Sequence, residues 1–157
     1  MDRPEFVCVT YLATTPEKLW KALLDGEITR QYWGYRNVSD NWKVGSTWRH
    51  ERAYDDSGMV ALVGKVVELS PPRRLVLTWG VPADAANESK HSRVTFDIEP
   101  LSDTVRLTIT HDQLEPGSEM QRSIAEGWPK VLSNLKTLFE TGRPLPKFEF
   151  YRSGSKR

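Results

Sequence analysis

Apolar and polar positions alternate strictly over two stretches near the middle of the chain. Val94, Phe96 and Ile98 interleave with Thr95, Asp97 and Glu99, and Val105, Leu107 and Ile109 interleave with Arg106, Thr108 and Thr110. Period 2 is the signature of strands with one wet and one dry face, as in an antiparallel sheet covered on one side. Phe6–Leu12 is rich in β-branched and aromatic residues and predicts a first strand. Further strands are predicted over Gly45–Glu51, Met59–Leu69 and Leu75–Trp79, set apart by the turn-forming runs Asp55-Asp56-Ser57-Gly58 and Ser70-Pro71-Pro72-Arg73-Arg74.

The period changes to 3 and 4 over Ser118–Glu140, where Ile124, Trp128, Val131, Leu132, Leu135, Leu138 and Phe139 form one stripe of a long helix with one buried face. Pro129 lies inside the stripe and predicts a kink, or a restart near Gly127. A shorter helix is predicted after the first strand, with Thr15 as N-cap, Pro16 at the first helical position and Gly26 as its end. A second covers Ile28–Trp33 and closes at Gly34. The elements predict an α+β domain over residues 1–144: a curved antiparallel sheet wrapped around a long C-terminal helix, with two short helices after the first strand. Residues 145–157 read as a tail.

Composition narrows the functions. Lys and Arg number 22 against 21 Asp and Glu, a net charge of +1, so no global field exists to hold nucleic acid or an anionic membrane surface. Cys8 is the single cysteine, which excludes an intramolecular disulfide and a multi-cysteine zinc site. No apolar run approaches the ~20 residues that span a bilayer, and the first residues lack a basic segment leading into an apolar one, so a cytoplasmic location is expected. Six tryptophans are many for 157 residues. Tyr32, Trp33, Trp48, Trp79, Phe96 and Trp128 come from separated elements, and if they face inward they supply the apolar lining of a small-molecule pocket or simply fill the core.

His111 continues the parity of Val105, Leu107 and Ile109 and so faces the covered side, where it would orient a ligand or move a proton. The structural alternative is a histidine bonded to its neighbours at a strand end. His50 shares parity with Trp48, but no spacing gathers the three histidines into a metal site, and none is expected. Asp55 and Asp56 read as a turn, and no nucleophile, base and oxyanion donor come together in a recognisable motif.

Seven segments carry a resemblance. They are T-T-P-E-K-L-W-K-A-L from Thr14, T-R-Q-Y-W-G from Thr29, W-K-V-G-S from Trp42 and V-V-E-L-S-P-P-R-R-L from Val66. S-R-V-T-F-D-I-E-P from Ser92, L-T-I-T-H-D from Leu107 and E-G-W-P-K-V-L-S-N-L-K-T-L from Glu126 complete the set. Over residues 6–144 the chain resembles the bacterial homologues of the C-terminal domain of the heat-shock protein 90 ATPase activator, in the helix-grip (SRPBCC, START-like) superfamily. The resemblance implies a bent sheet gripping the last helix, with an apolar pocket in the gap and its opening near Tyr32 and Trp33. Trp48, Trp79, Phe96, His111 and Trp128 would complete the lining.

Three functions are compatible with it. The first is noncatalytic binding of a small apolar or aromatic molecule with no cofactor. The second is a protein-interaction module, with a chaperone or another protein as partner, a homodimer left open and a stress-response role implied. The third is a cyclase- or aromatase-like enzyme. The eukaryotic activator carries a separate N-terminal domain that engages the chaperone, and nothing before Phe6 supplies one, so little stimulation is expected from this domain alone.

Overall fold

The computed structural model describes residues 3–55 and 57–146. The element order is β1 (Phe6–Leu12), α1 (Pro16–Leu24), α2 (Gly26–Trp33), β2 (Tyr35–Ser39), β3 (Thr47–Arg52), β4 (Val60–Ser70), β5 (Arg74–Trp79), β6 (Ser92–Pro100), β7 (Val105–Asp112) and α3 (Glu119–Thr141). The strands form one curved antiparallel sheet in the order β1-β7-β6-β5-β4-β3-β2, so the N-terminal strand closes one edge beside the last strand. The alternation read from the sequence is present in β7, where every second residue from Val105 to His111 is buried. Those residues, with the inward side chains of β5 and β6, receive α3.

Local chemistry sets the helix ends. The Thr15 hydroxyl accepts a hydrogen bond from Lys18 N at 3.2 Å, with Pro16 in the first turn. Asp25 serves two helices: its N–H donates to Lys21 O at the end of α1, and its carboxylate accepts from Glu27 N at the start of α2. The expectation that Gly26 merely ends the first helix is therefore corrected. Gly26 begins the second, because one acidic residue caps both. Gly34 closes α2 with φ 83°, a left-handed conformation that glycine adopts without a Cβ penalty. In α3, Ser118 Oγ accepts from Gln121 N and the helix runs through Pro129 with no restart at Gly127.

Two differences from the sequence reading bear on the site. The strand β2 was not predicted, since Tyr35–Ser39 is short and mixed in polarity; its pairing with β3 holds it in the sheet. Between β5 and β6 the chain forms two short 3-10 turns, Pro82–Asp84 and Glu88–Lys90, which periodicity does not reveal. Of the expected tail, residues 147–157 lie outside the described residues. Leu145 N donates to Asn134 Oδ1 at 2.6 Å, which ties the start of that segment to α3.

Among the described residues no helix is long and apolar enough to cross a membrane. The core runs from Leu12, Val105, Leu107, Ile98 and Leu75 at one end of the strands to Val94, Trp79 and His111 at the other. Lys136 Nζ donates to Tyr11 O at 2.7 Å, so the C-terminal half of α3 lies over the first of these ends.

Candidate functional site

The second end of the core is aromatic. Trp33 ends α2, Trp48 and His50 share the dry face of β3, Trp79 ends β5, Phe96 lies in β6, His111 in β7 and Trp128 in α3. Their rings touch. Trp33 lies 5.2 Å from Trp128, 6.2 Å from Trp79 and 4.7 Å from His50, centroid to centroid. Trp79 is the hub, 5.2 Å from Trp48, 5.7 Å from Trp128 and 5.4 Å from His111, while Phe96 meets Trp128 edge to face at 5.8 Å. These spacings are those of rings in contact, in tilted, edge-on and stacked arrangements. All seven residues expected to bind a ligand are thus buried on the dry side of the sheet, six of them in this network.

Tyr32, the seventh, stacks on Trp33 at 5.9 Å and donates its hydroxyl to Ala22 O at 2.8 Å, while Asn134 Nδ2 donates to Tyr32 O. Burial pushes the Tyr32 phenol far up, so it remains a neutral donor that ties α2 to α1. The expectation of an open gap with Trp33 at its mouth differs from the observed packing. Trp33 is the most exposed of the four indoles, yet only 6% of it is accessible. Four indoles are large enough to meet one another between the sheet and α3. An open depression of about 390 Å³ lies instead on the outward side of β4, β5 and β6, beside Lys65, Val67, Thr78, Glu88 and Arg93, and none of the seven residues lines it.

Seating these rings imposes local demands. Trp48 Nε1 donates to Thr78 O at 2.9 Å, so its indole crosses the backbone of β4 at Gly64, its cross-strand partner. A Cβ at Gly64 would stand 1.9 Å from Thr78 O and 2.6 Å from Trp48 Nε1. Only glycine leaves room for that ring.

The two histidines of the ring network, His50 and His111, are held differently. Trp128 Nε1, a donor only, gives its hydrogen to His111 Nδ1 at 3.2 Å. His111 must then carry its proton on Nε2, which donates to Ser92 Oγ at 2.8 Å, and Ser92 donates onward to Trp79 O at 3.2 Å. Both imidazole nitrogens are used. A serine beside a histidine resembles a nucleophile and its base, but here the proton points from histidine to serine, so this pair does not activate Ser92. Burial lowers the His111 pKa to about 3 and keeps the ring neutral.

By spacing alone His50 is a candidate metal ligand and nothing more; in the structure Asn37 orients it. Its Nδ1 lies 2.6 Å from Asn37 Oδ1, while Asn37 Nδ2 donates to Leu23 O at 3.1 Å. That assigns the amide oxygen as acceptor and the His50 proton to Nδ1, leaving Nε2 with a lone pair. Burial lowers the His50 pKa to about 3 as well. Asn37 comes from the unpredicted strand β2, and its own N–H donates to Thr29 Oγ1 on α2. The sequence signal for His50 was its shared parity with Trp48; the partner that orients it lay in a strand that periodicity did not reveal. Among the described residues no three His, Cys, Asp or Glu side chains lie close enough together to hold a metal ion.

A curved antiparallel sheet closed on one long C-terminal helix defines a helix-grip domain. The chain belongs to the family described as Activator of Hsp90 ATPase homolog 1-like protein, which matches residues 13–140. No curated protein matched the chain. Among solved structures, it is similar to CalU16 from Micromonospora echinospora, with 19% identity, 98% of this chain and 83% of that one covered, and a TM-score of 0.72. It is similar to the Aha1 dimer from Colwellia psychrerythraea, with 20% identity, 88% and 98% covered and a TM-score of 0.69. An HSP90 activator from Plasmodium falciparum, PFC0360w, shares 22% identity, with 89% and 97% covered and a TM-score of 0.69. At these identities the likeness is one of fold, and function has to be argued from the residues.

Proposed function

We propose that this chain is a noncatalytic binding module for a small aromatic or largely apolar molecule, taken up among the rings between the sheet and α3. The supporting observation is the segregation of Trp33, Trp48, Trp79 and Trp128 at one end of the core, in contact with two neutral imidazoles. Aliphatic side chains fill the other end. Planar rings offer stacking and edge contacts that a planar guest can replace one for one, at roughly 25 cal/mol per Å² of apolar surface removed from water. Uptake requires a ring to swing aside, and Trp33, the most exposed indole, stands beside the left-handed turn at Gly34.

An anilinonaphthalene probe should bind the folded protein at a stoichiometry near one and quench tryptophan emission. Its affinity should fall in Trp128→Ala and change in Trp33→Ala, once circular dichroism has shown each variant to be folded. Absence of binding to the folded wild type, together with native mass spectra showing no retained small molecule, would remove this reading.

A second reading is a protein-interaction module, and one observation favours it. Val7, Val9 and Tyr11 stand 51%, 47% and 48% exposed along the outward face of the edge strand β1. An apolar row of this kind marks a contact surface. The family description and the names of the Plasmodium and Colwellia relatives point to a chaperone or a second copy of the chain as the partner. A steady-state ATPase assay with heat-shock protein 90 tests it; little or no stimulation is expected, and a several-fold rise at micromolar protein would place this reading first.

A further inference from the structure

We infer that the open depression on the outward side of β4, β5 and β6 binds a small organic carboxylate, with the Arg93 guanidinium as anchor and Val44 and Val67 against the apolar part of the ligand. None of the ring-network residues lines it, so it stands apart from the ligand reading above. Its volume of about 390 Å³ falls within the roughly 300–1,000 Å³ usual for small-molecule sites. The walls are fixed by bonds. Gly45 N donates to Val66 O at 2.8 Å and Val66 N donates to Ser46 O at 2.9 Å, which ties the segment carrying Val44 to β4. In the connection between β5 and β6, His91 Nε2 donates to Asp84 O at 2.8 Å. The His91 ring packs so closely on Gly80 that a Cβ there would stand 2.4 Å from its Cδ2. Lys65 Nζ lies 2.6 Å from Glu88 Oε1 and holds the same connection to β4.

That ion pair leaves one charge uncompensated. Lys65 and Glu88 neutralise each other, and Arg93 is the remaining Lys, Arg, Asp or Glu side chain of the lining. Among the described residues no hydrogen bond or ion pair reaches its guanidinium, and Arg93 Nε is buried without a partner. Buried polar atoms in folded proteins are almost always bonded, so this donor calls for an acceptor. Nε and the adjacent Nη form a fork that takes both oxygens of a carboxylate. Asp112 stands opposite Arg93 across β6 and β7 without an ion pair to it, and its Oδ1 is also buried without a partner. A doubly charged phosphate placed at Arg93 meets Asp112 as a like charge twice over, so the site favours a monoanion. Val44 and Val67, 64% and 38% exposed, offer the body of such a ligand apolar surface to cover.

Benzoate, benzamide and inorganic phosphate, each titrated into the folded, nitrogen-labelled protein at neutral pH and followed by NMR, test this. Benzoate should shift the Arg93 Nε–H resonance to saturation and bind about tenfold more tightly than benzamide, which has the same shape without the charge. Arg93→Gln, checked for folding by its amide spectrum, should lower benzoate affinity about tenfold. Should that variant fail to fold, the contrast between benzoate and benzamide in the wild type decides. Glu88→Gln should raise benzoate affinity, because it releases Lys65 as a second cation. Equal affinity for benzoate and benzamide, or a benzoate complex that leaves the Arg93 resonance unmoved, overturns the site. Tighter binding of phosphate than of benzoate overturns the carboxylate assignment. If none of the three binds, the inference falls and the reading of the ring network stands on its own test.

Discussion

The two ends of the core are built from different chemistry. At the end where Val105 faces Leu12 and Pro100, the interior is aliphatic, and Leu107, Ile98, Leu75 and Leu135 are at most 3% exposed. At the end where His111 faces Val94 and Trp79 faces Ser92, the interior is indole and imidazole. Aliphatic side chains interdigitate without directional needs and give up stability when shortened. The aromatic end needs directed bonds: Trp48 to Thr78, Trp128 to His111, His111 to Ser92 and His50 to Asn37. Polar groups inside a core restrict its packing, and each one left unpartnered costs about 1–3 kcal/mol. A domain selected only for stability has little reason to concentrate them at one end, and the proposed binding role rests on that difference.

The sharpest way to separate the ends is to shorten a side chain at the aliphatic one. Leu135→Ala should lower the unfolding free energy by about 2–5 kcal/mol in chemical denaturation, because the residue is fully buried on α3. Probe affinity in the folded variant should not change. A loss below about 0.5 kcal/mol would show that the aliphatic end does not hold the fold as described.

The aromatic end should respond to acid where the aliphatic end does not. His50 and His111 each have the pKa lowered from 6.5 to about 3, so between these values the unfolded chain binds protons that the folded chain refuses. Stability is therefore full above about pH 6.5 and falls as pH drops toward 3. Between pH 7 and pH 5 the expected loss is on the order of 1–2 kcal/mol per histidine. Denaturation midpoints measured at the two pH values should converge in His111→Gln relative to wild type. An unchanged pH slope in that variant would mean that His111 is not held neutral in the folded protein.

The smallest effect belongs to neither end. Val9→Ser, on the outward face of β1, should change stability by less than about 0.5 kcal/mol, since half of the side chain is already in water. If the exposed row is a contact surface, the same substitution should weaken self-association or partner binding in sedimentation experiments. No change in either would leave the aromatic interior as the functional part of the molecule.

Much of this was legible along the chain, and for a physical reason: periodicity is a local record of which side is wet. The alternation in Ser92–Pro100 and Val105–Asp112 and the stripe through Trp128, Leu132 and Leu135 specified the sheet, the long helix and the buried parity of His111 and His50. Caps such as Thr15 and Ser118 are equally local. The sequence also supplied the family, through segments whose order matches the fold.

What a side chain bonds to across the core is not local. That Trp128 occupies the lone pair of His111, that Asn37 orients His50, that Gly64 makes room for Trp48, and that four indoles meet where a gap was expected all depend on residues 13 to 95 positions apart being brought within a few ångströms. Sequence patterning selects which face a residue occupies. Only the closing of the sheet on α3 decides which atoms on that face meet and which bonds they make.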